Sequence, residues 1–293
     1  MPVHDELGIR MKEYYEQIPK TKLMRRTPVA IRLDGKAFHT FTRGFKKPFD
    51  EILVKSMQET MKYLCENIQG CVLGYTQSDE ITLILVDYKN LNSSAWFDYE
   101  VQKMCSIAAS MATMAFNNFI VKEYLGYIEY LAAMQDFDIE NEYLNTMSKA
   151  IDKGAMFDAR CFNIPKEEVT NLIYWRQLDA TRNSIQMVGQ ANFSHKELQG
   201  KSCNMIQDML MTQKGINWND YPTHLKRGSC CIKKNLIEEE VQLNVYKGTE
   251  LISSKETKVG FSSTRTHWII DKEIPIFKGE GREYIEKLIN VGE

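Results

Sequence analysis

The sequence has no unbroken apolar run of about 18 residues, so no membrane-spanning helix is predicted from such a run. Its first residues, which include Asp5 and Glu6, have no apolar core of the kind that a secretory signal peptide needs. None of its seven cysteines belongs to a C-x-x-C pair, and no set of histidines and cysteines has zinc-ligand spacing. These absences predict a cytoplasmic protein whose thiols stay reduced.

Charge of one sign is not in excess either, because 37 basic and 39 acidic side chains give a formal net charge of −2. This balance argues against a protein that coats nucleic acid without specificity, although it is compatible with a local basic patch. Two basic clusters are candidates for contacts with a polynucleotide backbone, or are ordinary surface charge. They comprise Lys20, Lys22, Arg25 and Arg26, and then Lys226, Arg227, Lys233 and Lys234.

Apolar residues recur with periods that predict four strands and several helices. The predicted strands are Thr27 to Leu33, Cys71 to Tyr75, Ile81 to Val86 and Ala155 to Ile164. The predicted helices are Val3 to Ile18, Pro48 to Gly70, a long helix capped by Asp98, and one that begins at Pro165, with an irregular acidic stretch from Asp136 to Glu142. From the first strand on, the order is β-α-β-β-α-β. That order is typical of an α+β, ferredoxin-like unit with a four-stranded antiparallel sheet.

The pattern changes near residue 190. We therefore interpret residues 1–190 as one domain with an N-terminal helix, and residues 191–293 as an appended C-terminal lobe of helical and hairpin character. A helix near Lys201 to Thr212 and a hairpin that includes Val241 to Tyr246 are expected in this lobe. An apolar content of 43% suffices for one large core, or for one core with such a lobe.

Two aspartates lie at the ends of predicted strands. Asp34 follows the first strand, and Asp79 lies in the turn that enters the third. These strands are central neighbours in the expected topology, so the two carboxylates are expected to meet at one edge of the sheet. Carboxylates that close repel each other unless a cation lies between them, and hard oxygen ligands favour magnesium. Gly35 would let the backbone approach a metal or phosphate closely and would leave its carbonyl free as a ligand. Asp-Gly and Ser-Asp-Glu are also common turn sequences, so a purely structural role stays open.

Basic residues accompany these carboxylates. One short segment after the first carboxylate holds Lys36, His39, Arg43, Lys46 and Lys47, which would meet nucleotide phosphates or form a solvated turn. Arg32 lies within an apolar strand, where an unpaired charge is costly. Lys103 lies in the first turns of a helix, where the helix dipole does not favour a cation. A bound triphosphate would explain Lys103, and so would simple exposure to solvent.

Six short motifs follow one another along the chain. They are Arg32-Leu-Asp-Gly-Lys-Ala-Phe-His39, Phe45-Lys-Lys-Pro-Phe-Asp50, Gln77-Ser-Asp-Glu80, Trp96-Phe97, Phe157-Asp158 with Arg160, and Trp175-Arg-Gln-Leu-Asp179. Together they resemble the tRNA-His guanylyltransferase family. The resemblance covers roughly Met24 to Asn183, with a weaker echo from Asn217 to Gly228. The ordered set is specific to the family, whereas no single motif is.

The resemblance implies a polymerase palm that adds nucleotides, GTP favoured, to the 5′ end of tRNA in the 3′–5′ direction. ATP or GTP would first activate the RNA 5′-monophosphate, and the 3′-hydroxyl of an incoming nucleotide would then attack it. Two magnesium ions would be held by Asp34, Asp79 and the Gly35 carbonyl, with Glu80 as the adjacent catalytic acid. Family members are commonly tetramers, so a homotetramer is expected. The match also implies a set of nucleotide-binding residues, in which Lys47 serves the activation step. They are Arg32, Asp34, Gly35, Lys36, Ala37, Phe38, His39, Lys47, Ser78, Asp79 and Lys103.

One position departs from the family pattern. Eukaryotic members follow the Trp-Arg-Gln segment with His-Ile-Asn-Asn, whereas this chain has Thr181-Arg182-Asn183-Ser184. The missing histidine favours template-dependent repair of 5′-truncated tRNAs over addition of a single guanosine to tRNA-His, and both stay open. Two alternatives are a palm-type nucleotide cyclase, which would act on a triphosphate without RNA, and a non-catalytic RNA-binding protein. The second would be favoured by missing metal ligands, which are present here.

Overall fold

The computed structural model describes residues 5–134, 137–237 and 264–290 of the chain. The strands in these ranges are β1 (Val29–Gly35), β2 (Cys71–Gln77), β3 (Glu80–Leu85), β4 (Phe157–Asn163), β5 (Ser229–Ile237) and β6 (Thr264–Asp271). The α-helices are α1 (Glu6–Met11), α2 (Phe38–Phe41), α3 (Glu51–Asn67), α4 (Val101–Met134), α5 (Phe137–Lys153), α6 (Lys166–Asn192), α7 (His195–Leu198), α8 (Cys203–Lys214), α9 (Thr223–Arg227) and α10 (Glu283–Ile289).

The strands form one antiparallel sheet in the order β4-β1-β3-β2-β5-β6. The first four positions of this order are those of a β-α-β-β-α-β unit. The predicted α+β class and the ferredoxin-like core are therefore confirmed. Strands β5 and β6 extend the sheet beyond β2, which was not expected from the sequence.

Helices cover both faces of the sheet. Successive side chains of a strand point to opposite faces, so the apolar side chains of one strand can pack in both layers. On one face, Ile31 and Leu33 of β1 pack with Met61 of α3 and with Ala108 and Phe116 of α4, all of them buried. Full burial of one large apolar side chain contributes about 1.5–3 kcal/mol. The other face packs against α6 and α10 through Ala30, Leu73, Ile84, Val169, Ile173 and Ile285.

Helix α4 is the one described helix that is long and apolar enough, by length and composition alone, to cross a membrane. Its buried side includes Met104, Ala108 and Ala112, which pack in the core against the sheet. The core helix of a soluble protein passes the same test of length and composition. Helix α4 is therefore weak evidence for a span, and the expected absence of a membrane segment stays a prediction.

Three details of the predicted helices were wrong. Asp98 does not cap α4, because it lies in a short 3₁₀ turn with φ of +55° and its carboxylate contacts Lys22 and Arg25. Helix α3 is capped by Asp50, whose Oδ1 accepts from the Leu53 amide at 3.0 Å, rather than begun by proline. The acidic stretch expected to be irregular lies largely within α5.

The C-terminal part of the chain joins the same sheet. Strand β5 pairs with β2, so main-chain hydrogen bonds cross the predicted boundary at residue 190. Helix α8 confirms the helix expected near Lys201 to Thr212. Its Ile206 and Leu210 pack against Val188 of α6. The division into two domains stays a prediction, and the hairpin around Val241 to Tyr246 lies outside the described residues.

Two glycines give a paired test of this architecture. A Cβ added at Gly74 of β2 would lie 2.5 Å from Cys65 Sγ and 2.8 Å from Met61 Cγ, whereas Gly126 of α4 has nothing within 4 Å. We expect Gly74→Ala to lower the free energy of unfolding by about 1–3 kcal/mol through overpacking. Gly126→Ala should raise it by about 0.5–1 kcal/mol, because alanine favours the helix. Urea denaturation measures both, and equal effects would contradict the contact between α3 and β2.

Candidate active site

The sheet aligns three carboxylates at the end of β1. Asp34 is directly opposite Glu80 of β3 and Asp158 of β4, and directly opposed residues of antiparallel strands project from the same face. Asp79 lies in the tight turn between β2 and β3, next to Glu80. The Gly35 amide donates to the Asp79 carbonyl oxygen at 3.1 Å, which fixes this turn against the end of β1. The two aspartates predicted to be metal ligands therefore lie at the same edge of the sheet.

Asp79 is in an unfavourable environment for a negative charge. Burial raises the pKa of its carboxyl above the ordinary value, and the charges of Asp34 and Glu80 raise it further. The hydrogen bond from its own backbone amide, and a second one from Ser78 Oγ to Asp79 Oδ1 that is 3.1 Å long, partly oppose this rise in pKa. A cation bound between Asp34 and Asp79 would remove the penalty.

The donors at this edge are hard oxygens, which suit magnesium. Among the residues that the structure describes, no three histidine, cysteine, aspartate or glutamate side chains gather as a metal site. A metal here would therefore take two carboxylates and complete its shell with a backbone carbonyl, water or substrate phosphate. Magnesium commonly binds in this way, through one or two carboxylates together with phosphates.

Glu80 is neutralised by arginines instead. Its Oε1 lies 3.3 Å from Arg32, and its other oxygen contacts Arg176 of α6. Arg176 also bonds Asp179 at 3.0 Å, and its guanidinium lies 4.6 Å from the centre of the Trp175 ring. Two residues predicted for catalysis and triphosphate binding, Glu80 and Arg32, are thus paired with each other. Sequence reasoning missed Arg176, although the Trp-Arg-Gln motif contained it.

A cleft of about 440 Å³ opens beside the aspartates. Its lining includes seven of the predicted nucleotide-binding residues, namely Gly35, Ala37, Phe38, His39, Lys47, Ser78 and Asp79. Ala37 has φ of +54° where the chain turns into α2, and the Phe38 ring lies beneath Gly35. A Cβ at Gly35 would be 2.2 Å from that ring, so glycine is required there.

The other predicted residues are distributed around the cleft rather than in its lining. Asp34 is the residue of β1 before Gly35, which lines the cleft, and Lys36 is exposed to solvent. Lys103 lies near the start of α4 with its ammonium 4.7 Å from the centre of the Phe97 ring. The structure therefore gathers most of the predicted set at one edge of the sheet, while the role of each residue stays a prediction.

Two adjacent lysines differ in their surroundings. The Lys46 ammonium bonds the Tyr127 hydroxyl at 2.6 Å and lies 4.5 Å from the Tyr143 ring centre, which holds it in an aromatic cage. Both lysines line the cleft and are exposed, so what distinguishes Lys46 is its contact with the two tyrosines. The cage therefore holds Lys46 in place, and Lys47 is left as a cation that can meet a ligand in the cleft.

Asp50 supports the cleft wall, a role that was not foreseen from the sequence. This buried carboxylate accepts three hydrogen bonds, from the amides of Lys46 at 3.1 Å and Leu53 at 3.0 Å and from the Tyr143 hydroxyl at 2.8 Å. Tyr143 belongs to α5, so Asp50 ties the lysine loop to two helices. Its position at the end of the Phe45-Lys-Lys-Pro-Phe-Asp50 motif was the available signal.

A family model described as tRNAHis guanylyltransferase matches residues 8–165, more than half of the chain. The chain belongs to this family. The expectation of an enzyme of the nucleotidyltransferase class is thereby confirmed, and so is the resemblance drawn from the six motifs.

Known relatives extend the match over almost the whole chain. A bacterial tRNA(His) guanylyltransferase (Thg1)-like protein, solved in complex with ATP, is 38% identical with a TM-score of 0.73, over 97% of this chain and 99% of that one. A structure of a bacterial protein of the same description with GTP is 36% identical, with a TM-score of 0.69 over 98% and 100% of the two chains. The tRNA(His) guanylyltransferase of Saccharomyces cerevisiae is 27% identical over 223 residues, 71% of this chain and 84% of the yeast protein.

The arginine network of this family member can be tested with a matched pair. Arg176 and Arg182 both bond Asp179, but their side chains are 5% and 62% exposed. Arg176→Met should lower the free energy of unfolding by about 3 kcal/mol, because it leaves a partly buried carboxylate with fewer partners. Arg182→Met should change it by less than about 1 kcal/mol. Chemical denaturation measures both, and similar losses would show that burial of Arg176 does not matter.

Proposed function

We propose that this protein is a magnesium-dependent nucleotidyltransferase that adds nucleotides, GTP favoured, to the 5′ end of tRNA in the 3′–5′ direction. ATP or GTP would first activate the 5′-monophosphate. The observation that carries the proposal is the placement of Asp34 and Asp79 at one edge of the sheet, beside a cleft lined by Gly35, the Ala37–His39 segment and Lys47. The ATP and GTP complexes of the bacterial relatives support a nucleotide as its occupant.

The carboxylates of Asp34 and Asp79, with the Gly35 carbonyl, would hold the magnesium ions. When bound, magnesium supplies charge stabilisation for the attacking and leaving oxygens of a phosphoryl transfer. The backbone hydrogen bond between Gly35 and Asp79 keeps the two carboxylates in register. Glu80, already held by two arginines, acts as a positioning residue for Asp79 rather than as a free ligand.

The remaining residues bind and orient the reactants. Ala37, Phe38 and His39 form a wall for the nucleotide, and Lys47 offers a positive charge to the activating triphosphate. In activation, an oxygen of the RNA 5′-monophosphate attacks the α-phosphorus and pyrophosphate leaves. In transfer, the 3′-hydroxyl of the incoming nucleotide attacks the activated 5′-phosphate and the nucleoside monophosphate leaves. Arg32 and Lys103, which lie outside the cleft lining, would approach the triphosphates from its border.

Template-dependent repair of tRNA 5′ ends is the favoured substrate class. The segment Thr181 to Ser184 lacks the histidine of eukaryotic members. In the structure Thr181, which stands at the position of that histidine, donates its hydroxyl to the Gln177 carbonyl of α6 at 2.9 Å, so its polar group is bonded within its own helix. Base pairing with the opposite strand would then select the nucleotide.

Assembly and compartment complete the proposal. A homotetramer would cover exposed apolar side chains on α1 and α4, such as Leu7, Ile9, Leu125 and Tyr130. The cysteines are all free thiols, which suits a reducing cytoplasm.

The first experiment is extension of 5′-monophosphorylated tRNA with magnesium, ATP and labelled GTP. Full-length tRNA-His is compared with a tRNA that lacks its first nucleotide. We expect extension of the truncated tRNA only when the added base pairs with the opposite strand. Guanosine addition to full-length tRNA-His alone would instead indicate the identity-setting enzyme. Extension of neither would contradict the proposal, and a cyclic product from triphosphate alone would identify a cyclase.

Asp79→Asn tests the acidic pair in the same assay. The amide keeps the hydrogen bond from Ser78 but removes a carboxylate that burial and two neighbours disfavour. We expect extension to fall by at least about 10³-fold, because a charged metal ligand is lost. The free energy of unfolding measured without magnesium should stay level or rise by up to about 1 kcal/mol. Full activity of this variant would remove Asp79 from the metal site.

Lys47→Met should slow activation of the 5′-monophosphate by about 10²-fold or more, because a cation near the triphosphate is lost. RNA that already carries a 5′-triphosphate should restore extension to the wild-type rate. Lys46→Met is the comparison, because it removes the neighbouring cation from its tyrosine cage. That variant should lose stability, and triphosphorylated RNA should not correct its defect. Failure of the rescue for Lys47→Met would exclude this lysine from the activation step.

A further inference from the structure

Helix α6 carries a tryptophan on its outer surface. Trp175 is 51% exposed, whereas Trp96 and Trp218 are buried and Trp268 is half-buried. Trp175 continues along the helix into Leu178 and Arg182, which are also exposed and follow at intervals of three and four residues. These three side chains therefore form one exposed stripe that the packing of the core does not explain.

Two arginines hold the inner side of the Trp175 ring. The guanidinium carbons of Arg32 and Arg176 lie 5.3 Å and 4.6 Å from the ring centre. Their side chains are only 19% and 5% exposed, so they lie between the ring and the interior of the protein. Cation–π contacts of this kind orient the indole, and the outer side of the ring is left open to solvent.

The ring lies close to the proposed metal ligands. Arg32, which contacts it, is two residues before Asp34 on β1, so the two side chains project from the same face, about 7 Å apart along the strand. Further along α6, Met187 lines the nucleotide cleft. A group stacked on Trp175 would therefore lie beside the place where an RNA 5′ end has to react.

The surroundings of the ring favour a flat, neutral ligand. The carboxylates of Glu80 and Asp179, both bonded to Arg176, lie behind it and would repel a phosphate placed on the ring. The terminal base pair of an RNA helix is flat and uncharged, and aromatic side chains bind bases by stacking. One tryptophan and one leucine are too small an apolar patch for a stable protein interface.

Exposed arginines flank the ring and would contact the RNA backbone. Arg160 of β4 is directly opposite Arg32, and its ion pair with Asp158 is exposed to solvent and therefore weak. Arg182 lies two turns of α6 beyond Trp175. Contacts of arginine with phosphates fix the orientation of a nucleic acid without reading its sequence.

We propose that Trp175 is a stacking platform for the terminal base pair of the tRNA acceptor helix. The inference rests on the proposed function, because it takes a base-paired RNA end as the substrate. Template-dependent addition copies the strand opposite the 5′ end, so the last existing base pair must be held in place while the next one forms. Trp175 would hold that pair beside Asp34.

Tryptophan fluorescence tests the contact directly, because stacking on a base quenches an indole. The first probe is a 5′-monophosphorylated RNA hairpin with one open helix end. The second has the same stem and the same 5′-monophosphate, but a second hairpin stacks on the terminal pair across the nick. We expect the open hairpin alone to quench the emission, and Trp175→Phe to lose this quenching. Trp268→Phe, which leaves Trp175 in place, should retain it.

Kinetics with 5′-truncated tRNA give a second measurement. Trp175→Ala should raise the KM for this RNA by about tenfold, because one base stack is lost, and should leave the KM for GTP unchanged. Leu178→Ala is the matched control, because Leu178 is 50% exposed on the same stripe but has no ring. It should change the KM for RNA by less than about threefold. Trp175→Phe keeps an aromatic ring and should recover most of the affinity, so the test does not depend on folding of the alanine variant.

The outcomes separate the inference from the proposed function. Equal quenching by the two RNAs, or an unchanged KM for RNA in Trp175→Ala, would overturn the inference while extension by the wild type upheld the function. Trp175 emission that changes with protein concentration in the absence of RNA would show that a second copy of the chain covers the ring, which would also overturn it. Failure of the wild type to extend any RNA would contradict both. Quenching that needs an open helix end and Trp175, with a raised KM in Trp175→Ala, would establish the stacking platform.

Discussion

The antiparallel pairing of β1 with β3 on one side and β4 on the other determines where the carboxylates of the candidate site lie. It sets Asp34 opposite Glu80 and Asp158 and brings the Asp79 turn against the end of β1. A shift of one residue in either register would send Asp34 to the opposite face, where Ile31 and Leu33 of the same strand belong to the apolar core. The core residues of β1 therefore also fix the geometry of the site, because both sets depend on the same register.

The carboxylates at this edge differ in whether a neighbouring arginine neutralises their charge. Glu80 is held by Arg32 and Arg176, and Asp158 by Arg160 at 3.1 Å. Asp79 keeps a pKa raised by burial and by nearby negative charge. Charge is thus neutralised around the site, while a local excess of negative potential remains where a cation is proposed to bind. Unfavourable electrostatics of this kind are common at functional sites, because a ligand relieves them.

Much of the core could be predicted from the sequence because its signals are local. Alternating apolar residues in β1 and β3, and apolar residues at helical spacing in α3, predict elements without knowledge of their partners. The order of these elements then limits the possible topologies, which is why the placement of Asp34 and Asp79 at one edge of the sheet could be predicted. The residues that line the cleft, such as Lys47 and Ser78, were predicted from the resemblance of their motifs to those of the family.

What escaped prediction depends on contacts between distant segments. Asp98 looked like a helix cap, but Lys22 and Arg25, more than 70 residues earlier, hold it in a turn instead. The partner of Glu80, Arg176, lies 96 residues further along the chain. The pairing of β5 with β2 was equally hidden, because strand periodicity does not identify the strand that will be the neighbour.

Strand β5 is more than 140 residues further along the chain than the turn that carries Asp79, but it affects the stability of that turn. In the four-stranded core alone, β2 would be the outermost strand, with one row of amides and carbonyls facing water. Local unfolding of a sheet begins at its edge strands. The turn that carries Asp79 directly follows β2. By pairing with Gly74, Tyr75 and Thr76, β5 moves the edge away from this turn. The C-terminal part of the chain therefore supports the turn of Asp79, a carboxylate of the candidate site, against local unfolding.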